Sequence, residues 1–182
     1  MSDGNDSNVK RQEVIEASSL YNDVFFNTAI PKDLEKFPGP VVLTLNPGEM
    51  TDTDFHKVDP VPLNIMFFRI RTNTWNLPLV EEAIRYYGPV GVPIVLTFMA
   101  YHGESDIPDS HRFMYDYRQR TLNSYYAISS MAWNQVMEEF INVPLVYSCG
   151  REGVSKMNSC RNCGNCIREY YAAKERMKGE VE

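Results

Sequence analysis

Four cysteines, Cys149, Cys160, Cys163 and Cys166, are the only ones in the chain and fall within eighteen residues as C-x10-C-x2-C-x2-C. Thiolates at this density bind metal, form disulfides or do redox chemistry, and the spacing separates these uses. Neighbours three apart seldom pair as disulfides without strain, and the first residues carry no apolar signal core that would send the chain to an oxidising compartment. A redox CxxC wants a helix start directly after a strand, whereas the triplet follows a ten-residue spacer after Cys149. A four-thiolate metal site is therefore the expected use.

Two centres suit the spacing. Three cysteines at successive intervals of three can each hold one iron of a [4Fe–4S] cubane, with Cys149 as the distant fourth ligand. No proline follows Cys166, which departs from the usual iron–sulfur run. One zinc ion is the other candidate: the Cys163-Gly164 pair suits the tight turn of a zinc knuckle, although Cys163 would be shared by two hooks. With all four thiolates engaged, zinc has no open position, and a saturated cubane serves as scaffold or electron relay.

A smaller group could bind a ligand. Arg69 and Arg71 stand two apart in an apolar run and so face the same side of a strand, where paired guanidinium groups call for an anion. Asn73 and His102 lie near them at the carboxyl ends of expected strands, as do Thr44, Asn46, Thr97, Tyr101 and Tyr147. The competing reading of the two arginines is ion pairing with the acidic loop carrying Asp52, Asp54 and Asp59. His56, His102 and His111 are the only histidines, and no HExxH, GxSxG or Walker-type loop is present. Cys149 could act as a nucleophile with His102, but its place in the cysteine quartet is the stronger use.

These side chains need a frame. The 182 residues, 43% hydrophobic and 23% charged, suit one globular domain with a small appendage. Residues 1–12 read as a flexible polar tail. A helix is expected from Glu13 to about Asn27, then strands over Val41–Leu45, Leu63–Arg71, Val92–Met99 and Val143–Tyr147. Helical spacing links the second and third strands through Leu79–Tyr87, and a long helical region running from Asp109 or Ser110 to Phe140 links the third and fourth. A last helix covers Ile167–Met177. Nearly continuous apolar strands alternating with helices predict an α/β fold, mainly a parallel sheet with covering helices, over residues 13–148. Residues 149–182 then form a four-cysteine metal-binding segment and C-terminal helix.

Charge adds a constraint on partners. The net charge is −6, but residues 149–182 carry seven basic against five acidic side chains, leaving residues 1–148 at net −8. Arg151, Lys156, Arg161 and Arg168 surround the cysteines and could offset an anionic centre. The acidic balance disfavours nucleic acid, so the aromatic content reads as core rather than as a base-stacking surface. A protein partner or a small anionic ligand remains. No apolar run approaches the ~20 residues of a membrane span, and the chain reads as cytoplasmic.

The stretch from Phe67-Phe68-Arg69-Ile70-Arg71 through VEEAIRYYG and VPIVLTFMAY to SCG…CRNCGNC resembles the distal half of phage-encoded radical-SAM-like proteins, over roughly residues 63–168. The resemblance implies a partial (half) β/α barrel, a phage or prokaryotic source, and the four cysteines as cluster ligands. Residues 1–148 contain no cysteine, so the N-terminal CxxxCxxC that binds the S-adenosylmethionine-cleaving cluster in that family is missing. The resemblance therefore implies an accessory or binding protein. An enzyme derived from such a barrel, with its active site at the strand carboxyl ends, is the alternative.

Overall fold

A computed structural model describes residues 6–48, 57–149 and 163–179. Five parallel strands form the main sheet in the order β1-β2-β3-β4-β8: β1 (Phe26–Thr28), β2 (Val41–Leu45), β3 (Ile65–Thr72), β4 (Ile94–Phe98) and β8 (Val146–Ser148). Parallel strands are covered on both faces, which is why their sequences are apolar almost throughout.

Period-two alternation sorts the two faces. Val41, Leu43 and Leu45 of β2, Phe68 and Ile70 of β3, and Ile94 and Leu96 of β4 share a core with helix α2 (Leu77–Tyr87) and helix α3 (Ser130–Phe140). At its centre Phe68 stacks on Tyr87 with ring centroids 3.9 Å apart. The opposite face carries Val42, Met66, Phe67 and Val95, and meets Tyr170 and Ala173 of the C-terminal helix α4 (Asn165–Lys178). Met66 and Phe67 both reach that face because β3 holds one extra residue there: Val41 pairs with Ile65 but Val42 with Phe67.

A second, antiparallel sheet of β5 (Ala100–Tyr101), β7 (Tyr125–Ile128) and β6 (Tyr115–Arg118) fills the connection between β4 and α3. This corrects the long helix expected from Asp109 or Ser110 to Phe140, of which only Ser130–Phe140 is α-helical. Tyrosines are strong strand formers, and Tyr117 and Tyr126 pair directly across the two strands at 5.2 Å. Ser129, inside that expected helix, instead caps the start of α3, its Oγ accepting from Ala132 N at 3.2 Å.

Three smaller corrections concern the ends of the chain and strand four. Helix α1 covers Arg11–Ser18 and stops well short of Asn27, because Phe26 begins β1, its amide donating to the Pro40 carbonyl at 2.8 Å. The polar stretch expected to be a flexible tail is anchored from Asp6 onward: that carboxylate accepts from Thr28 Oγ1 and from Ala29 N, both at 2.6 Å. The last strand starts at Val146 rather than Val143, since Leu145 adopts a left-handed φ of 63°. Among the described residues no helix is long and apolar enough to cross a membrane.

Candidate metal centre

The carboxyl end of the sheet and the start of α4 meet on the face that α4 covers. Cys149 follows β8 directly, and its amide donates to the Leu96 carbonyl of β4 at 2.8 Å. Cys163 and Cys166 flank the first residues of α4, where Gly164 takes φ 67° and ψ −4°. No atom lies within 4 Å of where a Cβ at Gly164 would sit. The demand there is on backbone conformation, since a left-handed residue reverses the chain between the two cysteines and glycine adopts it without penalty. Asn165 Nδ2 reaches the Ser148 carbonyl at 3.5 Å and closes α4 onto β8.

Cys149, Cys163 and Cys166 line one small cavity of about 60 Å³, together with Phe67, Arg69 and Val95. No disulfide joins these three cysteines. Among the described residues, no three thiol, imidazole or carboxylate side chains stand close enough to share one ion. Cys160 lies outside the described residues, as do Arg151, Lys156 and Arg161 of the expected basic surround. Thiolates here would sit at the positive end of α4, where the helix dipole amounts to roughly half a unit charge.

Beside the cysteines the cavity is lined by the apolar Phe67 and Val95 and by one charged side chain, Arg69, which belongs to a polar row on the sheet. Arg69 Nη1 donates to Asn27 Oδ1 at 3.1 Å, and the same oxygen accepts from Thr44 Oγ1 at 3.3 Å. This row crosses β1, β2 and β3 on the α4 face. Thr97, one residue beyond Leu96, holds a buried Oγ1 with no hydrogen-bond partner. Tyr147 lies beneath Arg168, whose guanidinium carbon is 5.0 Å from the ring centre. Burial raises the Tyr147 phenol well above its ordinary value, the Glu169 carboxylate adds to the rise, and Arg168 opposes it.

The other ligand candidates are placed differently. Arg71 follows Arg69 on the same face of β3 and pairs in register with Thr97. Asn73 is fully buried inside the turn that starts α2: its Oδ1 accepts from Trp75 N at 3.0 Å and Asn76 N at 2.8 Å. Its amide nitrogen donates to the Tyr101 hydroxyl at 3.3 Å. His102 is exposed in the turn after β5. Asp59, the one described member of the acidic trio, is also exposed. Asn27 was hidden from sequence reasoning inside an expected helix, although the adjoining Phe25-Phe26 pair is a strand signal.

A larger open groove of about 570 Å³ runs between α1 and α4, lined by Ile15, Val24, Pro38, Pro40, Tyr170 and Met177. Its two lysines are already matched, Lys174 to Asp23 at 3.6 Å and Lys178 to Glu175 at 2.7 Å. No family model matches the sequence, and neither the curated proteins nor the solved structures contain a significant match to it.

Proposed function

We propose that this chain is a metal-binding α/β protein in which Cys149, Cys160, Cys163 and Cys166 hold one zinc ion or one [4Fe–4S] cluster. On this reading it acts as an accessory or binding protein rather than as a stand-alone catalyst. The observation that supports the reading is that Cys149, Cys163 and Cys166 line one cavity, although they come from opposite sides of the chain segment 150–162. The left-handed Gly164 between the latter two is the turn a zinc knuckle requires, and it supports zinc. The two successive C-x2-C spacings, Cys160 to Cys163 and Cys163 to Cys166, support the cubane.

A centre ligated by four thiolates supplies a structural cross-link or an electron relay, with no vacant position for substrate. The residues of this chain do the rest. Cys149 lies at the end of the sheet and Cys163 and Cys166 at the start of α4, so these residues would hold an ion where it would tie sheet to helix, a linkage that can contribute several kcal/mol. The cavity has room for an ion or a few waters and is far below the ~300–1,000 Å³ of ordinary small-molecule sites, which favours a binding or accessory role over an enzyme. The sequential, all-parallel order of the five strands, with α2 and α3 on one face, supports the partial β/α barrel. On that reading α4 occupies the side that would be the interior of a closed barrel. The clustering of all four cysteines at metal-site spacing supports a reducing, cytoplasmic setting.

Thermal unfolding with and without a strong chelator tests the reading. Chelation is expected to lower the midpoint of the wild-type chain, and Cys149→Ser, Cys160→Ser, Cys163→Ser and Cys166→Ser should each behave as the chelated protein does. A wild-type midpoint indifferent to chelator would remove the proposal.

A further inference from the structure

We propose that the outer edge of the antiparallel sheet is a self-pairing surface, at which β6 of one chain joins β6 of a second copy to make one continuous sheet. The inference is independent of the cysteine reading. β6 (Tyr115–Arg118) ends the strand order β5-β7-β6, and residues Asp116 to Arg120 are all exposed. The Ser129 amide donates to the Met114 carbonyl at 2.8 Å, which makes those two residues a hydrogen-bonded pair in line with the β6–β7 ladder. Bonded and non-bonded pairs alternate along such a ladder, so Asp116 and Arg118 bond to β7, while Tyr115 and Tyr117 direct their backbone N–H and C=O away from it. The Tyr117 groups meet no other backbone partner among the described residues. An edge of this kind is a template for another strand.

The edge sequence, Tyr-Asp-Tyr-Arg, decides which strand fits. Two copies related by a twofold axis run antiparallel here, and only the outward-directed residues can exchange hydrogen bonds across the junction. Of the registers that overlap the strand most fully, one centred on Asp116 sets carboxylate against carboxylate, and one centred on Arg118 sets guanidinium against guanidinium. Centring on Tyr117 instead sets each Asp116 opposite the Arg118 of the other copy, in a non-hydrogen-bonded pair whose side chains lie closest. Charges on an edge ordinarily repel a copy of themselves; in this register they attract it. Asp116 and Arg118 already pair within the chain at 3.0 Å, each about half exposed, and so weak a surface pair opens into a network of both copies at little cost. The same register carries Phe113 of each copy towards the hairpin tip of the other, where Leu122 stands; these side chains are 74% and 79% exposed in the single chain. It also joins the row of Tyr101, Tyr126 and Tyr117, aligned across the three strands, to its counterpart through a Tyr117–Tyr117 pair.

The test is sedimentation equilibrium on the full chain over a concentration series, with Asp116→Arg, Arg118→Asp and the double reversal. A junction this short belongs to the weak, reversible class, so the wild-type mass is expected to rise from one chain towards two over roughly 10 μM to 1 mM. Each single reversal sets like charges opposite each other twice and should weaken association at least about tenfold. The double reversal should restore it. Mixing the two single variants should give a heterodimer, because each then supplies the charge that the other lacks. Tyr117→Pro removes an amide proton that β7 does not use, and should abolish association while keeping the wild-type circular dichroism.

A wild-type chain that stays monomeric across the series would overturn the proposal. So would a dimer that survives both single reversals, which would put the interface elsewhere, or a mixture of the two variants that stays monomeric. Should Tyr117→Pro lose the wild-type spectrum, the reversals at the exposed Asp116 and Arg118 decide the matter by themselves. None of these outcomes depends on metal content, so each leaves the four-cysteine reading as it stands.

Discussion

Arg176, near the end of α4, donates through Nη2 to the Ile65 carbonyl at 2.9 Å, at the bulge where β3 gains its extra residue. The same nitrogen lies 3.4 Å from the Met66 carbonyl. A bulge leaves backbone groups off the ladder, and one arginine satisfies them while clamping the helix to the sheet. The clamp sets where α4 lies across the sheet, and the first turn of α4 carries Cys166. Arg176→Met keeps most of the stem and loses the hydrogen bonds, leaving buried carbonyls unpaired. A loss of about 1–3 kcal/mol is expected in urea unfolding. A variant as stable as wild type would show that the bulge carbonyls find other partners.

Gly164 makes a demand that is separable from space. A Cβ there meets nothing within 4 Å, so Gly164→Ala introduces left-handed strain of about 1 kcal/mol without a clash. Gly164→Asn should recover part of the loss, since asparagine tolerates this conformation. Metal affinity should follow the order Gly, Asn, Ala at this position, measured by competition with a chelator for Zn²⁺. Equal affinities would mean that the turn does not set the Cys163–Cys166 spacing.

Asn73 and His102 separate a structural residue from a candidate ligand. Asn73→Ala removes the oxygen that accepts from Trp75 N and Asn76 N, so the start of α2 should lose about 1–3 kcal/mol, with metal content unchanged. His102→Ala, at an exposed turn, should change stability by less than about 0.5 kcal/mol. Both values come from urea unfolding followed by elemental analysis. A loss of metal in either variant would extend the centre beyond the cysteines.

Tyr87 predicts an alkaline transition. Burial pushes its phenol up to about 12, although the bond from Val58 N to its hydroxyl oxygen, 3.0 Å long, works in the other direction. The folded value lies above the ordinary value near 10, so the folded state favours the neutral form. Its contribution is complete below about pH 10 and is lost as the pH rises towards 12. Tyr87→Phe should be less stable near neutrality, because Val58 N loses its acceptor, but its urea midpoint should fall less steeply over that alkaline range. Parallel declines in the two proteins would show that Tyr87 ionises without penalty.

How far the fold was legible depended on whether local pattern and tertiary need agreed. Val41–Leu45 was expected and found with the same bounds, because a continuous apolar run between turn residues has one stable use in a sheet covered on both faces. Leu77–Tyr87 was nearly as clear, since Val80, Ala83, Ile84 and Tyr87 repeat along one buried stripe. The region after Asp109 misled because Leu122, Tyr126 and Trp133 fall at a helical period by coincidence, while the tyrosines pair across strands.

The candidate site was legible in part for the same reason. Cysteine spacing is local and visible, and the paired faces of Arg69 and Arg71 follow from strand period alone. The link from Asn27 to Arg69 joins residues 42 apart in sequence, and nothing in either segment announces it. Arg176 was equally hidden, because a bulge in β3 is a property of its pairing with β2.

Elemental analysis of the full-length protein purified without oxygen, read with its absorption spectrum, bears most directly on the sulfur centre. About one zinc per chain in a colourless protein, or about four irons in a brown one, is the expected result, abolished when Cys149 is replaced by serine. Substoichiometric metal that Cys149→Ser retains, or a protein whose four thiols all react at once with an alkylating reagent in the absence of chelator, would contradict it.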